Sequence, residues 1–221
     1  MTILICFGIP LGALLYALVR KRSYVRYFLF GVVGFAVFQI AIRVPLLNLI
    51  TTTAPYIKLS LSSPYALAVL VAFSAALAEI IPRIGFLAVA RKKEFDLKIP
   101  LFYGLGHGGI EAIYLLGIPS INILMHPVSM GYSDTIILGG FERIPAMILQ
   151  VALSMLVYKG LYYRKISLVL AVVVLHTLID TLALTYRVFG LSLIQVETVF
   201  LVANVVILLG ALLVKRKKHS L

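Results

Sequence analysis

The chain has 221 residues, of which 62% are hydrophobic and only 13% are charged, and its mean hydropathy is +1.09. A soluble domain is about half apolar and about a quarter charged. The composition therefore excludes an ordinary soluble protein and predicts an all-α polytopic membrane protein with a single domain, 1–221. The net charge of +12 does not indicate a nucleic-acid partner, because Lys and Arg cluster between the apolar runs. The single cysteine, Cys6, excludes an internal disulfide and a cysteine-type zinc site.

Seven apolar runs approach or exceed the length of about 20 residues that a helix needs to cross the hydrocarbon core. They predict a bundle of about seven transmembrane helices over about 2–19, 27–50, 64–90, 99–117, 136–158, 166–187 and 193–214. The first run is expected to be retained as a helix, because its basic residues follow it, whereas a secretory signal has them in front. The Ser-, Thr-, Pro- and Gly-containing segments 51–63 and 118–135 are predicted to be external loops.

The connecting segments alternate in charge along the chain. Fifteen of the 20 Lys and Arg residues fall on one side of a seven-helix arrangement. By the positive-inside rule that side is the cytoplasm, so the amino terminus is predicted outside and the carboxyl terminus inside. The basic residues on the predicted cytoplasmic side are Arg20, Lys21, Arg22, Arg26, Arg91, Lys92, Lys93, Lys98, Lys159, Arg164, Lys165, Lys215, Arg216, Lys217 and Lys218.

Three of the apolar runs each carry a polar pair at i,i+4, a spacing that places both side chains on one helix face. A charged side chain at membrane depth costs several kcal/mol, so it usually has a partner and a task. The pairs are Glu79 and Arg83, His107 and Glu111, and His176 and Asp180.

The depths of these residues predict a shared site. With about 1.5 Å of rise per residue, Glu79, His107 and His176 lie about 18, 13 and 16 Å from the nearest basic segments. The sequence therefore predicts a catalytic site of these three residues inside the membrane, nearer the cytoplasm and open toward the cytoplasmic half.

A second layer of polar residues is predicted farther from the cytoplasm. It contains three carboxylates, Glu111, Glu142 and Asp180, and two cations, Arg43 and Arg143. Unpaired charges would be very unfavourable in lipid. The hypothesis is that the two arginines neutralise carboxylates of this set and that the layer supports the site.

Two chemistries fit a carboxylate near two histidines. In one, Glu79 takes a proton from water that attacks a peptide carbonyl, while His107 and His176 hold the water or the developing oxyanion. In the other, Glu79, His107 and His176 bind zinc and leave a fourth position for water. The zinc signal is weak because no HExxH or cysteine ligand set is present, so no cofactor is expected and zinc is the alternative.

Four glycines surround His107 in the segment 104–109. Glycine permits close approach of backbones, so the segment either gives a substrate access to His107 or packs helices tightly. Both interpretations are open at this point.

Four polar segments lie in or beside the apolar runs: 78–83 (AEIIPR), 104–111 (GLGHGGIE), 139–143 (GGFER) and 176–180 (HTLID). In these segments the sequence resembles the bacterial YhfC family, which implies an intramembrane protease of a bacterial cell membrane. It is similar, more distantly, to the CAAX-processing and bacteriocin-processing glutamate proteases, whose pattern is Glu-Glu-xxx-Arg, Phe-xxx-His and His-xxx-Asn/Asp. In this chain the second pair begins at Tyr103.

The resemblance implies a membrane protease in which Glu79 activates water and His107 with His176 binds the water or the oxyanion. Two positions depart from the pattern. Ala78 stands where the glutamate proteases have the first Glu, and Gln150 stands on the fifth predicted helix where a histidine is common in the family. Gln150 can donate a hydrogen bond but cannot titrate, so it is assigned a supporting role.

The function predicted from the sequence is hydrolysis of a peptide bond within or near the membrane, with the lipid bilayer and a peptide or membrane-protein substrate as partners. Two alternatives come from other classes. One is a non-catalytic scaffold or immunity protein, because the same superfamily is taken to include a scaffold subunit of the γ-secretase complex. The other is a proton-coupled transporter that uses the same Glu and His residues.

Overall fold

The computed structural model describes residues 1–125, 133–186 and 190–214, with the backbone alone for 133–138. These residues form seven long helices and one short connecting helix, Ala54–Ser62, and they contain no β-strand. The long helices are α1 Leu4–Arg20, α2 Arg22–Thr51, α3 Pro64–Ala90, α4 Lys98–Met125, α5 Ser133–Tyr163, α6 Ile166–Thr185 and α7 Leu193–Leu213.

Six helices, α2 to α7, are long and apolar enough to cross a membrane, and α1 is a shorter apolar helix. This confirms the predicted class, an all-α polytopic membrane protein. Two predicted loops contain helix instead: the connecting helix lies within 51–63, and α4 continues to Met125 within 118–135. The predicted loop residues 126–132, together with Arg187 and the basic tail 215–218, lie outside the described residues.

Three prolines lie inside helices at places where a sequence analysis expects a break. Each follows a short π-helical segment by two residues: Pro10 follows Leu4–Gly8, Pro45 follows Ala36–Arg43 and Pro119 follows Ile113–Gly117. A proline removes one backbone donor and its ring clashes with the carbonyl four residues earlier. In all three cases that carbonyl belongs to the π-helical segment, where wider i→i+5 hydrogen bonds relieve the clash. This local rearrangement is why α4 continues through Pro119 instead of ending in a loop.

Helix α5 is the centre of the bundle. It packs against α3, α4, α6 and α7, and every residue from 151 to 160 is buried. The other helices each expose a large apolar surface, as lipid-facing helices do. The polar residues of α5 are therefore held inside the protein, and helices on several sides reach them.

Glycines bring α2, α4 and α5 into direct backbone contact. A Cβ atom on Gly31 would lie 2.0 Å from the carbonyl oxygen of Tyr103, and one on Gly106 would lie 2.0 Å from that of Phe28. A Cβ on Gly104 would lie 2.5 Å from the Cα of Val151. The glycines around His107 therefore serve close helix packing, which is the second of the two interpretations of segment 104–109.

The buried end of α5 also joins the end of α7. Lys159 is 2% exposed, and its Nζ donates hydrogen bonds to the carbonyl oxygens of Ala211, Leu212 and Val214 at 2.6, 2.9 and 2.9 Å. Terminal helix carbonyls lack partners within the helix and attract cations. The sequence places Lys159 in the segment that connects the fifth and sixth predicted helices. In the structure it lies within α5 and binds the end of α7.

We expect Gly106→Ala to destabilise the protein, because the new methyl group has no space against the backbone of α2. Overpacking of this kind costs about 1–3 kcal/mol or more in the free energy of unfolding. The control is Gly85→Ala, since no atom lies within 4 Å of a Cβ at Gly85. Thermal unfolding of both variants in detergent measures the difference; equal melting temperatures would contradict the packing described for α2 and α4.

Candidate functional site

The carboxylate of Glu79 lies where α3, α4 and α5 meet. Its Oε2 is 2.9 Å from Nε2 of His107 and accepts a hydrogen bond from Nε2 of Gln150 at 3.0 Å. Glu79 is 4% exposed and His107 is fully buried. Because charged groups inside proteins need close partners, these contacts account for the presence of an acid at this depth.

Gln150 connects two carboxylates to an arginine. Its Oε1 accepts a hydrogen bond from Nη2 of Arg83, and its Nε2 also donates to Oε2 of Glu111 at 2.7 Å. An arginine can only donate and a carboxylate can only accept, so the orientation of the amide is determined by its neighbours. Arg83 Nη2 itself lies 3.7 Å from Oε2 of Glu79.

His107 has one hydrogen-bonded ring nitrogen and one without a partner. Its Nε2 faces the carboxylate of Glu79, whereas the buried Nδ1 has no hydrogen-bond partner among the described residues. The edge of the Phe35 ring meets the imidazole, with ring centroids 5.1 Å apart. The arrangement assigns the neutral tautomer with the proton on Nε2, because a second proton on Nδ1 would be buried without an acceptor.

His176 brings α6 to the same carboxylate. Its Nε2 is 3.7 Å from Oε2 of Glu79 and 3.5 Å from Oδ2 of Asp180, one turn along α6. His176 is 3% exposed. The structure therefore brings the three predicted catalytic residues together, with both imidazoles directed at one oxygen of Glu79.

In the second polar layer, Arg143 contacts carboxylates as predicted, whereas the direct contacts of Arg43 are with other oxygens. Arg143 contacts Oε1 of Glu142 and lies 3.7 Å from Oε1 of Glu111. Arg43 instead donates to the hydroxyl of Ser74 at 3.0 Å and to the carbonyl oxygen of Val71 at 2.9 Å. Among the described residues no carboxylate lies within 4.0 Å of Arg43. Arg43 therefore binds side-chain and backbone oxygens of α3 directly, and it lines the same cavity as Asp180. That Arg43 neutralises a carboxylate across this cavity stays a prediction.

Glu79 lines a cavity of about 370 Å³ and lies at one end of it. Glu79, Gln150 and His176 line it, as do Arg43, Arg143, Glu111, Glu142 and Asp180. Its volume falls near the lower end of the range of small-molecule and cofactor pockets, about 300–1,000 Å³. His107 does not line the cavity, so its contact is with the carboxylate and not with a molecule in the cavity.

The cavity extends away from the basic segments. On α3 it is lined by residues that precede Glu79, and on α4 by residues that follow His107. The basic segments lie at the opposite ends of these helices. The expectation of a site open toward the basic, predicted cytoplasmic side is therefore wrong. Helix depth alone locates a residue, but side-chain packing decides which end of the bundle is open.

Sequence reasoning missed two polar residues that line the cavity and one acid of α7. Asn204 is 2% exposed and donates to the carbonyl oxygen of Pro145 at 3.0 Å, while its buried Oδ1 has no hydrogen-bond partner among the described residues. Gln39 lies in the π-helical segment of α2, and its buried Oε1 likewise has no partner in the described part of the chain. Glu197 lies near the start of α7, outside the cavity lining. The signal that could have identified Asn204 is a single amide side chain in an otherwise apolar helix, since polar side chains are rare at membrane depth.

A metal ion requires ligand atoms that point at one position. Glu79, His107 and Glu111 offer donor atoms that all lie within 4.8 Å of one another, a different set from the predicted Glu79, His107 and His176. Carboxylate and imidazole are suitable zinc ligands. However, the amide nitrogen of Gln150 donates to both carboxylates and fills the space between them. The contacts therefore do not fit an ion bound to both acids, and we derive no step through a metal.

Comparison with known proteins gives one family match. The family described as YhfC intramembrane metalloprotease matches residues 4–135 and 132–201. One curated relative is the "Uncharacterized membrane protein YhfC" of Bacillus subtilis (strain 168), which is 28% identical in a match covering 39% of this chain and 44% of the relative. The matched part thus spans less than half of the relative's length. No solved structure matches the chain.

We expect Gln150→Leu to destabilise the protein strongly. Leucine retains the size of the side chain but removes the hydrogen bonds of the amide to Glu79, Glu111 and Arg83. Glu79 keeps its contact with His107, whereas Glu111 and Arg83 lose the hydrogen bond that each has among the described residues. Each buried polar group that loses its partner costs about 1–3 kcal/mol, and more when it is charged. The control is Ser154→Ala, which removes a buried hydroxyl that donates only to the carbonyl oxygen of Gln150 at 2.7 Å.

The measurement is the thermal unfolding of both variants in the same detergent. A Gln150→Leu protein as stable as Ser154→Ala would show that the amide does not connect the acids to the arginine.

Proposed function

This chain belongs to the YhfC family of intramembrane metalloproteases, and on that basis we propose that it hydrolyses a peptide bond within or next to the membrane. We propose further that Glu79, and not a metal ion, activates the water. The observation that carries the second proposal is the set of N–H donors around one oxygen of Glu79, with Gln150 between the two acids.

The donors leave one oxygen of Glu79 available. His107, Gln150, Arg83 and His176 all contact or approach Oε2. Among the described residues, Oε1 has no hydrogen-bond partner, and Glu79 lines the cavity. Donors that surround a carboxylate favour its ionised form. An ionised Glu79 therefore has a free oxygen with which to accept a proton from a water molecule in the cavity.

In the first step of the proposed reaction, Glu79 takes a proton from this water as the water oxygen bonds to the carbonyl carbon of the substrate. The electron pair of the carbonyl double bond moves to oxygen and gives a tetrahedral oxyanion. His176 lines the cavity beside Glu79 and supplies an N–H for the oxyanion. A positioned donor of this kind is worth about 2.7–4 kcal/mol in transition-state stabilisation.

In the second step the carbon–nitrogen bond breaks. Glu79 gives the proton that it took from water to the leaving nitrogen, so the products are a carboxylic acid and an amine. Glu79 then has its original charge again. The same carboxylate acts first as base and then as acid, as the hydrolysis requires.

The remaining residues position these groups without contacting the substrate. His107 holds Oε2 of Glu79 from α4, and Gln150 holds it from α5. Arg83 orients Gln150. Asp180, with Oδ2 3.5 Å from Nε2 of His176, orients that imidazole from one turn along α6. Positioning of this precision is what lets a base act within hydrogen-bond reach of its water.

We place the protein in a bacterial cell membrane with the basic segments in the cytoplasm. The support is the distribution of Lys and Arg along the chain together with the positive-inside rule. Its substrate is then a peptide or a membrane protein that presents a backbone carbonyl at the depth of Glu79.

We expect Glu79→Gln to abolish cleavage while the protein still folds, because the amide preserves the shape but cannot accept the proton. Loss of general base catalysis lowers the rate by about 10²–10⁴-fold. The matched control is Glu197→Gln, which changes an acid of α7 outside the cavity lining. The measurement is mass spectrometry of new protein termini in membranes that contain the wild-type protein or either variant.

Termini that form with the wild-type protein and Glu197→Gln but not with Glu79→Gln agree with the proposal. Termini that persist with Glu79→Gln, or no difference between wild-type and empty membranes, would reject it.

We also expect cleavage to survive removal of divalent metal. Purified protein is treated with a strong chelator, its zinc content is measured by mass spectrometry, and cleavage is assayed again. Unchanged activity at a zinc content far below one ion per chain agrees with Glu79 acting alone. One zinc per chain, with activity that disappears on chelation and returns with zinc, would overturn the glutamate mechanism but not the protease proposal.

A further inference from the structure

The residues that line the cavity all lie on one side of the Glu79 level. On α3 they run from Val71 to Glu79 and none lies between 80 and 90. On α6 the first is His176, and on α5 the last is Gln150. We call the three residues at this level, Glu79, Gln150 and His176, the floor of the cavity. The other lining residues lie between this floor and the end of the bundle that contains the connecting helix Ala54–Ser62.

The other side of this floor is closed by packing. Tyr27 and Leu87 are at most 1% exposed, and Tyr103 and Val157 are fully buried. The backbone contacts of Gly31 and Gly106 join α2 and α4 at this level. Protein interiors packed in this way contain few voids larger than a water molecule. Among the described residues, packing therefore closes the half of the bundle that ends in the basic segments.

The exposure of the acidic side chains increases in the same direction. The side chain of Glu79 is 5% exposed and that of Glu111 is 14% exposed. Glu142, two turns before Gln150 on α5, and Asp180, one turn after His176 on α6, have side chains that are 30% and 32% exposed. Polar side chains that are more accessible than Glu79 on this side of it can admit water and a polar substrate.

From these observations we propose that water and substrate reach Glu79 from the end of the bundle opposite the basic segments. The proposal rests on the proposed function and names its substrate class. The substrates are peptide segments that lie in the membrane leaflet farther from the basic segments, or beyond it. If the positive-inside orientation holds, the enzyme acts on exported or outward-facing segments and not on cytoplasmic ones.

The test uses cysteine labelling, because Cys6 is the chain's single cysteine and its replacement by alanine gives a cysteine-free background. Ala75 lies one turn before Glu79 and lines the cavity, whereas the neighbouring Ala76 is 1% exposed and does not. The matched variants are Ala75→Cys and Ala76→Cys. Exposed markers for the two ends are Lys58→Cys in the connecting helix and Lys93→Cys in the basic segment.

Each variant is treated with a membrane-impermeant methanethiosulfonate reagent in right-side-out and in inverted vesicles. We expect Ala75→Cys to react from the side on which Lys58→Cys reacts, about tenfold or more faster than Ala76→Cys, since labelling requires an accessible thiolate. Ala146→Cys, a second cavity position, should behave like Ala75→Cys and serves if one variant does not fold.

Reaction of the cavity cysteines from the Lys93→Cys side, from both sides, or from neither would overturn the proposal. Labelling does not depend on hydrolysis, so it separates the two proposals. Predicted labelling together with unchanged cleavage by Glu79→Gln would reject the mechanism and leave the access route intact. A marker Lys58→Cys that reacts from the cytoplasm would reverse the orientation of the whole chain but not the position of the opening.

Discussion

The hydrogen bonds of one buried carboxylate, Glu79, explain the arrangement of the bundle around the site. A carboxylate at this depth is unfavourable unless N–H donors surround it. Those donors come from His107 on α4 and Gln150 on α5, with His176 on α6 within 4 Å. Moving any one of these helices would leave a buried charge with too few partners. The need to satisfy one acid therefore sets the relative positions of four helices.

Packing adds a direction to this arrangement. Glycines let the backbones of α2, α4 and α5 touch on the side of the basic segments, and Lys159 binds the end of α7 on that side. On the opposite side, the π-helical segments Ala36–Arg43 and Ile113–Gly117 change the course of α2 and α4, and the cavity lies between these helices and α6. A helix irregularity of this kind is common at functional sites. The bundle is thus closely packed at one end and contains the cavity toward the other.

Hydropathy predicted the helical membrane class, because a chain in lipid must satisfy its backbone internally and long apolar runs can only do so as helices. The i,i+4 pairs predicted which acids and histidines face inward, since lipid excludes them. The partner of Arg43 was not predictable, because the nearest acceptor is a carbonyl of α3 that carries no signal in the sequence. Neither was the open end of the cavity, which depends on how glycine contacts close the other end. The sequence indicates only a supporting role for Gln150. In the structure its amide nitrogen donates to both acids and its amide oxygen accepts from Arg83.

The most direct test of the central contact is the protonation state of the His107 ring. Nitrogen-15 NMR of histidine-labelled protein in lipid bilayers, with the signal assigned through a His107→Gln variant, distinguishes the two ring nitrogens. We expect a proton on Nε2, hydrogen-bonded to Glu79, and no proton on Nδ1. A bare Nε2 facing Glu79, which is the form that a metal ligand takes, would contradict it.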